Sequence, residues 1–455
     1  MKKITIIGAG LAGTLLSLYL ARRGYAVDVY EARSDIRRVA DNGGRSINLA
    51  LSCRGITSLK EIGLMDAVEK IMVPMRARAI HEENGEVTFQ PFGRHKDEYI
   101  NAILRTDLNT LLLDQASSSP LIKIHFDMKL QEIDVRHKTL ELMDKEGNLK
   151  QAGYDHLIGA DGAASLVREG LQKAGILHYR RDFLPHGYKE LSISREHSGN
   201  FIREHLHLWP RDAYMLLGNP NLDDSITGSL FLPLEGKISF KSLQNEEALH
   251  SFFKRAFPDA YDAMPNLAGE FFSNPTGNLS TVQCSTWYYK NQCLLIGDAA
   301  HGIVPFFGQG MNCAFEDCRI LDETLERYHD DWGQALPAFF ASRKQNTDAV
   351  AAMSMDNYSE IQHEIRDKKF NLKKQLQQEL MRRYPERYIS KHVLVMFTNT
   401  PYARAHAIGE IQDRFLENIS SNADSLQEID WQYVDKAMRE YDKKLADLGA
   451  FPTVS

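Results

Sequence analysis

The sequence predicts an α/β fold with an inserted antiparallel β-sheet and a C-terminal helical region. Three observations support this fold class. The N-terminus combines a strand pattern, a glycine-rich turn and an apolar helix; short strands dominate residues 188–287; and residues 312–445 have an almost entirely helical pattern. A chain of 455 residues is too long for one compact core, so we expect several lobes.

The first element is a short apolar strand that runs directly into Gly8-Ala9-Gly10-Leu11-Ala12-Gly13 and then into an apolar helix. In this spacing Gly8 permits a tight turn, Gly10 lets backbone amides approach a pyrophosphate, and Gly13 lets the helix pack on the strand. A second strand, residues 26–30, ends at Glu31, where a carboxylate can bind an adenosine ribose. The pattern predicts a Rossmann-type dinucleotide site; the alternative is a glycine turn that only packs well.

A second strand-to-loop motif, Gly297-Asp298-Ala299-Ala300-His301, indicates which dinucleotide is bound. It places Asp298 at the carboxyl end of a buried strand, where ligands bind in such folds. The glycine loop of residues 305–312 then opens a helix, whose N-terminus can stabilise negative charge on a reduced flavin. Since only one complete glycine fingerprint is present, we predict non-covalent FAD with Asp298 on its ribityl chain; a helix cap is the alternative role of Asp298.

Composition and cysteine usage exclude several classes of protein. The net charge of −7 argues against a nucleic-acid partner, and no uncharged apolar stretch is long enough to predict a membrane span. The five cysteines form no disulfide framework, and Cys313 and Cys318 fall on a predicted helix that turns their side chains apart. We therefore expect a reduced, cytoplasmic protein without a metal site.

Residues 76–94 alternate in polarity around Asn84-Gly85, which predicts a β-hairpin. Together with the changes of pattern along the chain, this suggests three domains. We predict a discontinuous FAD-binding domain at 1–75, 100–180 and 288–330, a β-sheet substrate domain at 76–99 and 181–287, and a C-terminal helical domain at 331–455.

Three blocks resemble the motifs of single-component FAD aromatic hydroxylases of the p-hydroxybenzoate hydroxylase type: residues 8–13, 159–162 and 297–301. Further blocks are similar to those of the kynurenine 3-monooxygenase family, and this resemblance extends to about residue 415. They are residues 44–52, 74–78, 185–191 and 305–312, together with Asn357-Tyr358 and Pro401-Tyr402.

The resemblance implies a reaction in which L-kynurenine, NADPH and O₂ give 3-hydroxykynurenine through a flavin C4a-hydroperoxide, in tryptophan degradation towards quinolinate and NAD. The aniline nitrogen already activates the ring carbon beside it, so we expect no catalytic acid or base. The protein has to position the ring and exclude water.

The same resemblance implies two sets of site residues. Arg78 would bind the substrate carboxylate, with Asn357 and Tyr402 at that end and Phe231, Pro305 and Phe306 along the ring. The predicted cofactor set is Gly8, Gly10, Ala12, Gly13, Tyr30, Glu31, Arg33, Arg45, Ala50, Arg105, Leu130, Asp161, Asp298, Gly310, Met311 and Asn312. Phe92 departs from the family pattern, which has a tyrosine whose hydroxyl contacts the carboxylate.

Two other functions stay open on the sequence. A related flavin hydroxylase could act on another aromatic acid or a quinone precursor, and a flavin-binding protein could lack turnover. The predicted partners are small molecules, without nucleic acid and without a membrane span; a homodimer is left open. Eukaryotic relatives carry a C-terminal membrane segment that we do not expect here.

Overall fold

The computed structural model describes residues 3–38, 48–360 and 368–449. Within these ranges the chain forms two compact units. Unit 1 comprises residues 1–73, 101–184 and 278–347, and unit 2 comprises residues 74–100, 185–277 and 348–455. The division into three domains expected from the sequence stays a prediction.

Strands outnumber helices in the first half of the chain, and helices dominate its last third. The strands are β1 (Lys3–Ile7), β2 (Ala26–Tyr30), β3 (Asn48–Leu51), β4 (Met72–Met75), β5 (Ala77–His81), β6 (Val87–Pro91), β7 (Ile100–Leu104), β8 (Ile122–His125), β9 (Met128–Asp134), β10 (Thr139–Asp144), β11 (Leu149–Gly153), β12 (His156–Gly159), β13 (Tyr179–Ile193), β14 (His205–Arg211), β15 (Tyr214–Pro220), β16 (Ile226–Pro233), β17 (Gly277–Cys284), β18 (Tyr288–Tyr289) and β19 (Cys293–Leu295). The helices are α1 (Leu11–Arg22), α2 (Cys53–Glu61), α3 (Met65–Val68), α4 (Arg105–Ser117), α5 (Leu166–Lys173), α6 (Glu246–Ala256), α7 (Pro258–Asp262), α8 (Leu267–Ser273), α9 (Asp298–His301), α10 (Gly310–Arg327), α11 (Trp332–Ser359), α12 (Lys368–Arg383), α13 (Lys391–Phe397), α14 (Tyr402–Ser420) and α15 (Trp431–Asp447).

A six-stranded sheet of order β18-β19-β12-β1-β2-β8 forms the centre of unit 1. Its strands are parallel except for β18, which pairs antiparallel with β19. The strands are short and mostly apolar, as expected where both faces of a parallel sheet are buried. Strands β1, β12 and β19 lie side by side, so the three loops that follow them emerge at the same sheet edge. This arrangement confirms the predicted α/β class.

A seven-stranded sheet has the order β17-β13-β16-β15-β14-β5-β6. Strands β5 and β6 form the predicted hairpin, in which Ala77 pairs with Pro91 and Arg78 pairs with Gln90. The sheet is antiparallel between β13 and β14, as predicted, but β14 and β5 pair in parallel. Leu206 lies opposite Arg78 in that parallel pair. The sheet therefore holds Arg78 on a strand paired on both sides.

Two parts of the fold differ from the expected pattern. Residues 246–273 form helices α6–α8 inside the region where short strands were expected to dominate. Asn245 caps α6 by accepting a hydrogen bond from the Ala248 N–H, and Leu249, Phe252 and Phe253 pack on one face of it. A three-stranded sheet of order β11-β10-β9 also occupies residues 128–153, where we predicted no sheet.

None of the helices in the described parts of the chain is long and apolar enough to cross a membrane.

Candidate active site

The first glycine turn is built for close approach of backbone to backbone. Gly8 has a φ of 103°, and a Cβ placed there would lie 2.5 Å from the Ala160 carbonyl oxygen. A Cβ on Gly13 would lie 2.0 Å from the Gly8 oxygen, so α1 packs directly on the turn. By contrast, no atom lies within 4 Å of a Cβ built on Gly10, at the N-terminus of α1. Gly8 and Gly13 therefore shape the turn, and Gly10 leaves space for a ligand.

The N-terminus of α1 carries no acidic residue in its first turn and no side-chain cap. The free N–H groups of such a helix end favour an anion, and the space at Gly10 can accept a phosphate.

Glu31 directly follows strand β2 and is 7% exposed. Its Oε2 accepts a hydrogen bond from the Ala9 N–H at 2.8 Å, and its Oε1 accepts bonds from the backbone N–H and the Nε of Arg33. Burial alone would raise the pKa of Glu31, but the bonds from Arg33 and Ala9 lower it below its ordinary value. The carboxylate is thus ionised and ties the end of β2 to the first glycine turn.

Asp298 follows β19 and opens the short helix α9. Solvent reaches its side chain, yet the surrounding protein is dense enough for desolvation to raise its pKa, against the opposing effect of His301 and Arg105. A carboxylate that is both accessible and poorly hydrated suits a ligand with hydroxyl groups. A Cβ on Gly297 would lie 3.4 Å from the Cβ of Ala12, so the first and third motifs are in contact.

The loop before α10 is fixed by the side chain of Asn312, which is fully buried. Its Oδ1 accepts a bond from the Ser52 N–H, and its Nδ2 donates to the carbonyl groups of Ala50 and Gly308. The amide is therefore engaged within the protein, and only the backbone N–H groups of Gly310, Met311 and Asn312, in the first turn of α10, are positioned to bind an anion.

The side chains of the other predicted cofactor residues differ in their solvent exposure. Tyr30 is buried and stacks on His125 at 4.7 Å, and the Leu130 side chain is 3% exposed, so any contact of Leu130 with a ligand would involve its backbone. Asp161 accepts bonds through Oδ2 from the N–H groups of Leu166 and Val167, while its Oδ1 is buried without a hydrogen-bond partner in the described structure. Arg33 and Arg105 are exposed. Arg45 lies outside the described residues.

These features fit FAD. The glycine turn and the open helix end suit the pyrophosphate, Glu31 directly after β2 suits the adenosine ribose, and Asp298 is accessible after β19, at the same edge of the sheet. The N-terminus of α10 has N–H groups that can stabilise negative charge, as the electron-rich end of a flavin ring requires.

In unit 2, Arg78 is half-buried on β5 with three neighbours that carry no negative charge. Its Nη1 lies 3.4 Å from Gln90 Oε1, its Nη2 lies 3.4 Å from His392 Nε2, and its guanidinium lies 4.5 Å from the centre of the Phe92 ring. Burial lowers the pKa of Arg78 to about 10, although Glu360 acts in the opposite direction. Within the described ranges, this guanidinium has no carboxylate at ion-pair distance.

His392 is a neighbour of Arg78 that the sequence did not reveal. Burial and the charges of Arg78 and Lys374 hold the pKa of His392 well below its usual range, so the imidazole is neutral and its Nε2 can accept from Arg78. The two residues are 314 positions apart in the sequence. No local pattern links them, and only the packing of α13 near β5 brings them together.

The remaining predicted substrate residues are found on several elements. Phe231 lies on β16 and Tyr402 is the first residue of α14; they are 9% and 0% exposed. Asn357 is half-buried near the end of α11. In unit 1, Pro305 is exposed and Phe306 is half-buried. Their roles in substrate binding stay predictions.

Comparison with known proteins agrees with the site. The fold is similar to that of 2-methyl-3-hydroxypyridine-5-carboxylic acid oxygenase in its tetrameric form, with a TM-score of 0.66 at 20% sequence identity over 80% of this chain and 94% of that chain. The profile of the FAD binding domain family matches residues 1–181 and 266–357. Fold, site and family profile together define an FAD-binding flavoprotein.

Relatives in sequence show to which family of flavoproteins the chain belongs. The chain is 65% identical to the kynurenine 3-monooxygenase of Legionella pneumophila (strain Corby), over 98% of this chain and 100% of that protein. It is 40% identical to the kynurenine 3-monooxygenase of Myxococcus xanthus (strain DK1622), over 94% of this chain and 92% of that protein. The chain belongs to the kynurenine 3-monooxygenase family.

Proposed function

We propose that this chain is an NADPH-dependent flavin monooxygenase that hydroxylates L-kynurenine to 3-hydroxykynurenine. Membership of the family supports the reaction. The observation that carries it in this chain is the half-buried guanidinium of Arg78, which contacts Gln90, Phe92 and His392 and has no carboxylate at ion-pair distance among the described residues. A buried charge is costly without a counter-ion, and the carboxylate of an amino-acid substrate would supply one.

The FAD is held by residues of unit 1. The turn of Gly8, Gly10 and Gly13 would bind the pyrophosphate, Glu31 the adenosine ribose, and Asp298 the ribityl hydroxyl groups. When bound, FAD supplies the redox chemistry, in which reducing equivalents from NADPH activate O₂ for transfer of one oxygen atom.

The protein side chains bind and orient the substrate. Arg78 would bind the kynurenine carboxylate through a fork of N–H donors, and Asn357 and Tyr402 would complete that end. Phe231 would contact the aromatic ring from the same unit. The amino group of kynurenine donates electrons to the neighbouring ring carbon, so no side chain is needed as an acid or base. Positioning and exclusion of water are the contribution of the protein.

A comparison of substrates with and without the carboxylate tests this proposal. Purified protein should oxidise NADPH slowly alone and faster with L-kynurenine, whereas kynuramine, which lacks only the carboxylate, should stimulate weakly. Equal stimulation by both compounds would contradict the role given to Arg78. Stimulation by a different aromatic acid, but not by kynurenine, would favour the related hydroxylase instead. A flavin that NADPH does not reduce under any of these conditions would favour a binding protein without turnover.

We also propose a cytoplasmic location, which is supported by the lack of a disulfide among the five cysteines, all of which lie in the described ranges. A homodimer stays a prediction.

A further inference from the structure

A buried charge network lies directly behind the loop that carries Asp298. It consists of Arg54, Glu316, Asp317 and Arg343, which are 0%, 4%, 0% and 3% exposed, together with His301. Every member belongs to unit 1. The function proposed above gives this network no role, although burying so many charges is expensive unless they are paired.

Asp317, on α10, is the centre of the network. Its Oδ2 accepts a hydrogen bond from the Gly297 N–H at 3.2 Å and one from His301 Nε2 at 2.5 Å. Its Oδ1 accepts a bond from Arg343 Nε at 2.7 Å. One carboxylate oxygen thus contacts the residue just before Asp298 and the residue that ends α9, so the short segment between them is fixed at both ends.

Arg343 and Glu316 hold that carboxylate in place. Arg343 Nη1 donates to Glu316 Oε2 at 2.5 Å, and Glu316 Oε1 lies 3.2 Å from Arg54 Nε. Burial alone would raise the pKa of Asp317, but His301 and Arg343 lower it below its ordinary value, so the carboxylate is ionised. The alternating charges compensate one another without a ligand.

His301, Cys313 and Asp317 lie close enough together to hold a metal ion, but the network argues against one. Arg343 Nη2 lies 3.4 Å from Cys313 Sγ, while its Nε is bonded to Asp317. A metal ion would have to displace the buried Arg343 guanidinium from Cys313 and Asp317, which are two of the three residues that would bind the ion. The desolvation cost of that exchange leaves the site to the arginine.

We propose that Asp317 is a positioning residue for the FAD site, which acts through Asp298 by fixing Gly297 and His301 on either side of it. Arg343 completes this role by fixing the Asp317 carboxylate. The proposal rests on the assignment of Asp298 to the cofactor, made under the proposed function.

A double-mutant cycle on the full-length protein tests the proposal, with the FAD dissociation constant and the visible circular dichroism of the bound flavin as readouts. Asp298→Ala and Asp317→Asn should each weaken FAD by about tenfold or more, because each removes a hydrogen bond of a charged group. If Asp317 acts through Asp298, Asp317→Asn should have little further effect on FAD in the Asp298→Ala background. The two single variants should also change the flavin circular dichroism in the same direction.

Asp322→Asn is the matched control. Asp322 lies on the same helix, is 7% exposed and also pairs with arginines, Arg22 and Arg23, but it does not contact the Asp298 loop. It should lower the melting temperature while leaving the FAD dissociation constant within about twofold, a difference of roughly 0.4 kcal/mol. Asp317→Asn alone is replaced in the cycle if that variant does not fold. The double variant Asp317→Asn/Arg343→Gln, which removes the negative charge and the positive charge together, then takes its place.

The outcomes separate the two assignments. If Asp298→Ala leaves FAD binding unchanged, the role of Asp298 in the proposed function is wrong. If Asp298→Ala weakens FAD but Asp317→Asn does not, or if their effects are additive, the positioning role of Asp317 is wrong. Stoichiometric zinc bound to the purified protein and lost in Asp317→Asn would overturn the proposal in favour of a metal site.

Discussion

The guanidinium of Arg78 lies over the ring of Phe92, with 4.5 Å between its carbon and the ring centre. Phe92 is 4% exposed and cannot donate the hydrogen bond that a tyrosine hydroxyl would offer to a carboxylate. Its ring face instead stabilises the cation, a contact worth roughly 0.5–2 kcal/mol in proteins. In this chain the carboxylate end of the site is therefore expected to depend on Arg78 more than on position 92.

The first prediction concerns Arg78 itself. Arg78→Met should raise the kynurenine dissociation constant by about tenfold to more than a hundredfold, since hydrogen bonds to charged groups contribute roughly 1.5–3 kcal/mol. Arg78→Lys should recover only part of the affinity, because an ammonium group cannot reproduce the fork of donors. Titration of the flavin absorbance with kynurenine measures both constants.

Arg76→Met is the matched control for this test. Arg76 is two residues away, is half-exposed and pairs with Glu204 at 2.7 Å. Its loss should leave kynurenine affinity within about twofold and FAD content unchanged, because solvent screens the charges of an exposed ion pair. If Arg78→Met is as mild as Arg76→Met, the carboxylate is bound elsewhere.

The second prediction concerns Phe92. Phe92→Leu should weaken kynurenine binding because it removes the ring beneath Arg78, by a factor that corresponds to roughly 0.5–2 kcal/mol. Phe92→Tyr keeps the ring and should be neutral or tighten binding by about 1 kcal/mol at most, through one regained neutral hydrogen bond. The same absorbance titration measures both variants. Tighter binding by Phe92→Leu would contradict a supporting role for the ring.

The third prediction concerns Glu31. Its carboxylate accepts bonds from Ala9 and Arg33, so Glu31→Arg should lose both bonds, place a second cation beside Arg33, remove the acceptor for the adenosine ribose and weaken FAD by about tenfold or more. Asp28→Asn serves as control, since Asp28 lies on the same strand but pairs with Lys3 and His125. Acid release and quantification of FAD, together with its dissociation constant, give the result. Full flavin content at unchanged affinity in Glu31→Arg would show that the first motif does not bind the adenosine end.

The fourth prediction concerns stability at acid pH. His207 is 2% exposed, and burial lowers its pKa from 6.5 to about 4, against the opposing effect of the Ile202 carbonyl. Between these values the unfolded chain binds a proton at His207 that the folded protein does not, so stability falls as the pH falls from 6.5 to 4. The loss of folding stability caused by this histidine reaches roughly 3 kcal/mol at the acid end of that window.

Denaturant unfolding at several pH values measures this effect. His207→Asn should lower stability at neutral pH but flatten its decline below pH 6.5. His329→Asn is the control, because His329 is exposed and a change there should not alter a slope that depends on burial. An identical slope in His207→Asn and the unsubstituted protein would mean that His207 is not kept neutral by burial.

Much of the fold could be predicted because its signals are local. The glycine turn, the strand that ends at Glu31 and the loop at Asp298 each follow from neighbouring residues. The helices at 246–273 also had a local signal, in the Asn245 cap and the spacing of Leu249, Phe252 and Phe253, but the surrounding strand patterns obscured it. The Arg78–His392 contact had none, since it joins a strand and a helix that are distant in sequence.

Side-chain direction was the other limit of the sequence. Asn312 was predicted to bind the cofactor, yet its amide is bonded to Ser52, Ala50 and Gly308, as a buried polar group requires. Its position at the start of α10 followed from the glycine loop, whereas the direction of its side chain depends on strand β3. The part of Asn312 that can contact FAD is its backbone, and that contact stays a prediction.

The most direct measurement is identification of the product formed from L-kynurenine, NADPH and oxygen-18-labelled dioxygen. We expect 3-hydroxykynurenine that carries one labelled oxygen atom on the ring carbon beside the amino group, formed only when the protein, NADPH and dioxygen are all present. Unchanged kynurenine, with NADPH oxidised only to form hydrogen peroxide, would contradict the proposed reaction.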